Sequence, residues 1–279
     1  VRWENGYDAN VSDPEQADRD AGPSLSTKFG VALVRSANSK VYAEYCGRVH
    51  GTDLFHFNMV DAAQLQRLVE ITALGAGDRF VDLGCGVGAL TAEIARRTGA
   101  DGIGVDFAAA AIAYARGKTP DDERVRFVEG DLNALDLPEQ RFDAAIAVDT
   151  LYFVQDLPRA LAKMFSLLKP GGRFAAFYTC FQKDDEPGES ISIDGTKLAK
   201  ALRNNRIAYK AIDLTAAAQA YWRRAIDVTA ELEHAWVAAG EADIWKQRHD
   251  ENQQFLPCFE ADRAARYLYW ATAEAPAGA

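Results

Sequence analysis

No pair of cysteines at CxxC spacing occurs in these 279 residues, basic residues are not in excess, and no apolar run approaches the roughly 20 residues that a bilayer-spanning helix needs. Each absence removes a class of explanation. Cys46, Cys85, Cys180 and Cys258 are far apart in the chain, which fits a reduced, cytoplasmic setting. A formal net charge of −10 argues against a nucleic-acid partner, because phosphate binding draws on clustered Lys and Arg. The chain begins at Val1 without Met and has neither the basic start nor the apolar core of a signal peptide. No membrane partner is expected.

What is present is a core. Apolar residues make up 48% of the chain, enough for one large domain with well-buried packing. Residues 1 to 38 read as an N-terminal arm, partly irregular: Glu4, Asp8, Asp13, Glu15, Asp18 and Asp20 face only Arg2 and Arg19 in its first part. Val41, Tyr45 and Val49 recur at spacing four and predict a helix over 39–51. An aromatic loop, GTDLFHFNMVD, follows, and Asp61 to Gln64 looks like a capping box for the next helix. From Arg79 onward strands alternate with helices of ten to fifteen residues, the pattern of parallel βαβ units in a doubly wound α/β sheet. Phe80, Val81 and Leu83 read as the end of a buried strand, and further strands are expected at 102–107, 124–131, 141–149 and 173–181. Beyond a polar loop at 183–190 come a helix near 195–206, a strand near 207–214 and a final strand at 266–272. The stretch 215–262 is too long for a connection and carries its own helical periodicity in Tyr221, Ala225, Val228, Leu232 and Trp236. It is expected to be a helical cap inserted before the last strand, with a shorter helix around Ile244 and Trp245.

The chemistry starts at RFVDLGCGVGAL (79–90). Its glycines, Gly84, Gly86 and Gly88, lie in a strand-to-helix turn, where the missing Cβ lets a ligand approach the main chain. The dinucleotide fingerprint would be G-x-G-x-x-G; here the spacing is G-x-G-x-G and Asp82 precedes it. An acid at that place would repel a pyrophosphate. It suits a ligand that carries an ammonium group and no phosphate.

Four signatures in order, VDLGCGVG, Asp106 ending the next strand, VEGDLNALDLP with RFDAAIAVDTLYFV, and LLKPGGRF, together resemble the class I S-adenosylmethionine-dependent methyltransferases, over roughly residues 60 to 180. The resemblance implies a mostly parallel, seven-stranded Rossmann-like sheet over 39–279, S-adenosylmethionine as cofactor and S-adenosylhomocysteine as its product. Carried over by motif, the cofactor residues are Asp82, Gly84, Cys85, Gly86, Asp106, Phe107, Asp131, Leu132 and Val148. Asp106 can accept both ribose hydroxyls, Asp131 the adenine amino group, and Asp82 faces the methionine end. Plainer readings stand beside these: Asp82 as a bond to its own loop, Asp106 as a helix cap, Cys85 as a filler between glycines.

The acceptor is narrowed by what the motifs lack. The Asn/Asp-Pro-Pro-Tyr turn of amino-group methyltransferases is replaced by VDTL. The Thr-Cys of RNA cytosine enzymes has an echo at Thr179–Cys180, without the Pro-Cys that accompanies it. The Asp-Asn pair of magnesium-dependent catechol-type enzymes is missing from YTCFQ, so no metal is expected. A small-molecule substrate remains, methylated on N, O or C, with His56 the first candidate for a base. Tyr42, Tyr45, Phe55, Tyr152 and Tyr178 are expected on one side of the pocket, and Tyr221, Trp222, Trp236, Trp245 and His249 on the cap side. The alternative is a methyltransferase-fold protein that binds the cofactor or a related ligand without turnover. The reading leaves room for a homodimer.

Overall fold

The computed structural model describes residues 24–55, 57–182 and 190–274. Three helices come first: α1 (Leu25–Asn38), α2 (Lys40–His50) and α3 (Ala62–Thr72). Each begins at a side-chain cap, Ser24 Oγ accepting from the Thr27 N–H, Ser39 from Tyr42 and Asp61 from Gln64. The described part of the expected N-terminal arm is thus helical. Its polar sequence hides a short inward stripe, with Gly30, Leu33 and Ala37 buried.

Next come β1 (Arg79–Leu83), α4 (Ala89–Thr98), β2 (Asp101–Asp106), α5 (Ala109–Lys118), β3 (Val125–Glu129), β4 (Phe142–Val148), α6 (Leu157–Ser166) and β5 (Leu168–Phe181). Then follow α7 (Lys197–Asn204), β6 (Tyr209–Asp213), α8 (Thr215–Glu231), α9 (Glu233–Ala238), α10 (Ala242–Glu260) and β7 (Ala264–Thr272). The seven strands form one sheet in the order β3-β2-β1-β4-β5-β7-β6. Strands β1 to β5 pair in parallel, while β7 runs antiparallel to both β5 and β6. The order reverses between β1 and β4, and ligands of open α/β sheets bind outside the carboxyl ends of the strands at such a point.

Alternation along the strands divides the core. Val81, Phe174 and Tyr178 pack with Leu161, Met164 and Leu198 on the α6–α7 face. Phe80, Phe177 and Leu268 pack with Leu65, Leu68 and Ile94 on the other. A third cluster joins the cap to α2, through Tyr42, Tyr45, Trp222, Trp236, Phe255 and Phe259. Polar ties fix the same junction: Arg35 pairs with Asp243, Ser39 with Glu241, and Arg224 Nε–H donates to the Val49 carbonyl at 2.7 Å.

Two elements differ from the sequence reading. The helix expected to be short around Ile244 is the 19-residue α10, with Pro257 near its end. Its inward stripe is Ile244, Arg248, Asn252, Phe255 and Phe259, and two polar members blunt the apolar periodicity. Strand β5 also begins earlier than 173, because Lys169-Pro170-Gly171-Gly172 bulges within it: Phe142 pairs with Leu168, and Ala144 already with Arg173. Proline is tolerated at such a bulge, since it has no N–H for the ladder.

Gly88 and Gly117 should respond oppositely to alanine. At Gly88 φ is +78° and a Cβ would lie 2.4 Å from the Phe127 ring, so Gly88→Ala is expected to lower stability by about 1–3 kcal/mol or more. At Gly117, inside α5, a Cβ meets nothing within 4 Å, and Gly117→Ala should raise it by about 0.5–1 kcal/mol. Urea midpoints of the two variants would check both signs.

Candidate active site

At the carboxyl edge of the sheet the glycine loop folds across the end of β2. Gly84 and Cys85 N–H both donate to the Val105 carbonyl, at 2.7 and 3.0 Å. Gly84 needs its hydrogen side chain twice over: φ is +83°, and a Cβ would lie 2.2 Å from Thr150 Oγ1 at the end of β4. Over Gly86, by contrast, an added Cβ would meet only the Leu33 methyl groups of α1, at 3.8 and 3.9 Å. The loop is therefore tight beneath and covered above by a helix that the sequence motifs did not single out.

Acids line the strand ends around it. Asp82, near the end of β1, is buried and accepts from Thr91 Oγ1 at 2.6 Å. Burial pushes its carboxyl up to about 6, the Thr91 bond pulls it down, and the nearby Asp106 adds to the rise. Asp106, the last residue of β2, accepts from the Gly86 N–H at 2.8 Å and the Ala108 N–H at 2.9 Å. Burial raises it as well, against those backbone donors and that of Phe107. The carboxylate so spans the glycine loop and the start of α5, and its two oxygens keep lone pairs for a ligand beyond these backbone bonds. Asp131, just past β3, is exposed and caps a short 3-10 helix, Leu132–Ala134, through the Asn133 N–H at 2.8 Å. Asp131, Asp106 and Asp82 stand near, at or just past the ends of three neighbouring strands. Phe107 lies beside them, its ring centroid 5.9 Å from that of Phe29 on α1, and Phe29 also contacts Phe57 and Phe153. Val148 is buried at the end of β4. Cys85 is buried, and burial, with Asp82 and Asp106, pushes its thiol well up, which suits a filler and not a nucleophile.

Beyond β4 the chemistry changes. Asp149 takes a left-handed φ of +53° and is buried. Its carboxylate receives the Met59 N–H at 3.1 Å and is paired with Arg266 of β7, which is fully buried. Arg266 Nη1 also donates to Thr179 Oγ1 at 2.9 Å, and its guanidinium lies over the Phe177 ring, 5.2 Å from the centroid. Across from this pair, α10 contributes buried Arg248, bonded to Glu251 at 2.6 Å. Burial opposes the Arg248 charge, but Glu251 and the hydroxyls of Tyr42, Tyr45 and Tyr221 outweigh it and hold the group above its ordinary value. Tyr152 links the two sets: burial drives its hydroxyl well up, with Asp149 and Glu251 acting the same way against Arg266. Tyr42 and Tyr221 are likewise raised well up by burial, and Tyr45 to about 12. All four phenols thus stay protonated at neutral pH.

The residues expected around the acceptor fall into three groups. Tyr42, Tyr45, Tyr221, Trp222 and Trp236 are buried together in the cap–α2 cluster, with Phe55 and Trp245 at its margin. His249 stacks on Trp245, centroids 5.1 Å apart, and both are partly exposed. Tyr178 belongs to the α6–α7 core, although its ring lies 6.4 Å from that of Tyr152. His56 lies outside the described residues. Sequence reasoning passed over Phe29, Leu33, Arg248, Glu251 and Arg266. Arg266 had a signal: one full charge at the head of an otherwise apolar strand motif, RYLYWAT. Among the described residues no three His, Cys, Asp or Glu side chains converge as a metal set, and no helix is long and apolar enough to cross a membrane.

Comparison with known proteins matches residues 81–176 to the family model described as a methyltransferase domain. The chain is 40% identical over 112 residues to a 2-phytyl-1,4-naphtoquinone methyltransferase of Thermosynechococcus vestitus, covering 39% of this chain and 50% of that one. It is 36% identical over 104 residues to a sterol 24-C-methyltransferase of Saccharomyces cerevisiae, covering 36% and 27%. The chain thus spans half or less of these curated relatives. Among solved structures, the [4+2]-cyclase SpnF superposes with a TM-score of 0.65 at 18% identity, covering 91% of this chain and 98% of that one. A geranyl diphosphate methyltransferase in complex with GPP and sinefungin gives 0.62 at 18% identity, covering 88% and 99%. The glycine loop and the acids Asp82 and Asp106 lie inside the matched methyltransferase domain, and the sheet order is that of the same fold, so the chain resembles the class I S-adenosylmethionine-dependent methyltransferases.

Proposed function

We propose that the protein transfers the methyl group of S-adenosylmethionine to a nucleophilic N, O or C atom of a small-molecule metabolite. One observation carries this reading: the carboxylates of Asp82 and Asp106 are buried around a glycine loop inside a matched methyltransferase domain, in a chain whose α2 and cap bury a cluster of tyrosines and tryptophans. The cofactor supplies an electrophilic methyl on a sulfonium. The residues present suit it: Asp106 has lone pairs for ribose hydroxyls, Asp131 and Leu132 lie where an adenine edge would bind, and Phe29 and Phe107 offer it an apolar flank. Asp82, Gly84, Cys85, Gly86 and Val148 border the methionyl end, where an ammonium meets a buried carboxylate.

The remaining residues position and exclude. The aromatic walls keep water from a cationic sulfur, and holding the acceptor in line with the methyl supplies much of the rate. Protonated Tyr42, Tyr45, Tyr152 and Tyr221 can donate to an acceptor molecule but do not serve as bases at neutral pH. His56 is kept as the candidate base. The relatives named for a phytylated naphthoquinone, a sterol and geranyl diphosphate support a small organic acceptor, whose identity the cap would set. Free, buried cysteines support a reducing, cytoplasmic compartment. The acidic chain favours no nucleic-acid partner, and the transfer itself calls for no metal.

A second reading has its own support, because the cyclase of the same fold is not named for methyl transfer. The protein would then hold the cofactor without turnover. Methylated product from labelled cofactor across a metabolite panel would decide for the enzyme; cofactor binding without any product would decide for the second reading.

Two variants test the cofactor residues. Asp106→Asn is expected to weaken S-adenosylhomocysteine binding by about tenfold or more, roughly 1.4 kcal/mol, in isothermal calorimetry. For Asp82 the test is pH. An ammonium prefers the ionised carboxylate, so wild-type affinity should rise as pH increases through about 6 and level off above it, whereas Asp82→Asn should bind more weakly with a flat profile. Stability of the free protein runs the other way. Between the ordinary 3.8 and about 6 the folded state holds a proton that the unfolded chain has lost, so this contribution falls as pH rises through that window. Asp82→Asn should therefore melt at the same or a higher temperature than wild type at pH 8; a lower melting temperature would mean that the carboxylate is structural.

A further inference from the structure

Arg266 is a full charge on β7, a strand enclosed between β5 and β6 and buried at this position. Arginine carries five N–H donors in a rigid plane. Here one nitrogen, Nη1, is pinned to Asp149 and Thr179. The other two, Nε and Nη2, are buried and have no hydrogen-bond partner. In a planar guanidinium these two form a single edge, with parallel N–H bonds that match the two oxygens of one planar acceptor. A burial that served the fold alone would leave such an edge paired with carbonyls or hydroxyls, since a buried donor without an acceptor is costly.

We propose that the Nε–Nη2 edge of Arg266 is a binding site for a carboxylate of the acceptor substrate. The inference rests on the methyltransferase reading and names a substrate class for it. The position in the sheet favours the acceptor over the cofactor. The glycine loop and acids that would hold the cofactor stand on β1, β2 and β3, whereas β7 lies beyond both β4 and β5. The charges favour a monoanion. Asp149 already offsets Arg266, and Glu251 offsets Arg248, so a phosphate dianion would add two unmatched charges. A single carboxylate adds one, opposite the positive sulfur of the cofactor. The Tyr152 hydroxyl, close enough to Asp149, Arg266 and Glu251 to feel each of them, is a neutral donor at the same place. Asp149, held by the Met59 N–H from the aromatic loop, fixes the guanidinium through Nη1 so that its unpaired edge keeps one orientation.

The test uses the full chain saturated with S-adenosylhomocysteine and a set of carboxylates from benzoate to laurate, each titrated calorimetrically against its own carboxamide. At least one acid is expected to bind about tenfold more tightly than its amide. Arg266→Lys keeps a charge for Asp149 but has no planar edge. It should erase that preference while S-adenosylhomocysteine affinity stays within about twofold. A preference that survives Arg266→Lys overturns the proposal, and so does a variant that loses S-adenosylhomocysteine while keeping the probe preference, which would assign the edge to the cofactor's own carboxylate. If Arg266→Lys does not melt cooperatively, the wild type alone decides: acids that raise the melting temperature when their amides do not support the site, and equal shifts overturn it. S-adenosylhomocysteine that fails to bind wild-type protein overturns the methyltransferase reading and this one with it; S-adenosylhomocysteine that binds without any acid-over-amide preference overturns only this one.

Discussion

The Asp149–Arg266 pair is the junction on which the arrangement of this site depends. Asp149 follows directly on β4, Thr179 belongs to β5, Arg266 to β7 and Met59 to the loop ahead of α3, and one set of hydrogen bonds joins all four. Breaking a buried pair by removing one partner costs about 3–5 kcal/mol, because the charge left behind has no water to turn to. Replacing both with apolar groups is often harmless to stability. The pair is thus weakly explained by stability and better explained by position: it holds the boundary between the β1–β3 half of the sheet edge and the half beneath the cap at a fixed place.

On each side of that boundary the polar groups differ in kind. Toward β1 to β3 they are carboxylates that only accept, with Asp82 and Asp106 pushed up by burial and available to a cation or to hydroxyls. Toward the cap they are guanidinium and phenol donors, with Glu251 as the local counter-charge. A ligand lying across the boundary meets acceptors at one end and donors at the other. Such opposed lining orients a molecule before any chemistry takes place.

How much of this the sequence made legible follows from periodicity. Strands β1, β2 and β4 read clearly because both faces are largely covered and each is an apolar run that ends at or next to an acid or a glycine. Asp82 and the glycines were therefore visible from the strand-to-helix turn, and Asp106 from the motif resemblance. Elements whose inward faces are not apolar were harder to read. Helix α1 buries small residues, so its stripe is faint, and α10 turns Arg248 and Asn252 inward. The bulge in β5 hid behind a Lys-Pro-Gly-Gly stretch that reads as a stop. The partnership of Asp149 with Arg266 joins residues remote in the chain, and no local pattern announces it. The aromatic residues of α2 and the cap were legible as a set. Which of them pack and which face a ligand is a matter of tertiary placement, as Tyr178 in the α6–α7 core illustrates.

The position of β7 has a consequence in time as well as in space. This strand follows the cap in the chain, yet it lies between β5 and β6, with Arg173 opposite Thr272 and Phe181 opposite Ala264. No other pairing in the sheet joins residues so remote in sequence, and non-local pairings carry the largest loop-closure cost and form slowly. Until β7 is inserted, β5 presents an open apolar edge and Asp149 has no counter-charge. Completing the sheet, burying the arginine and fixing the residue after β4 therefore all depend on the docking of this one strand.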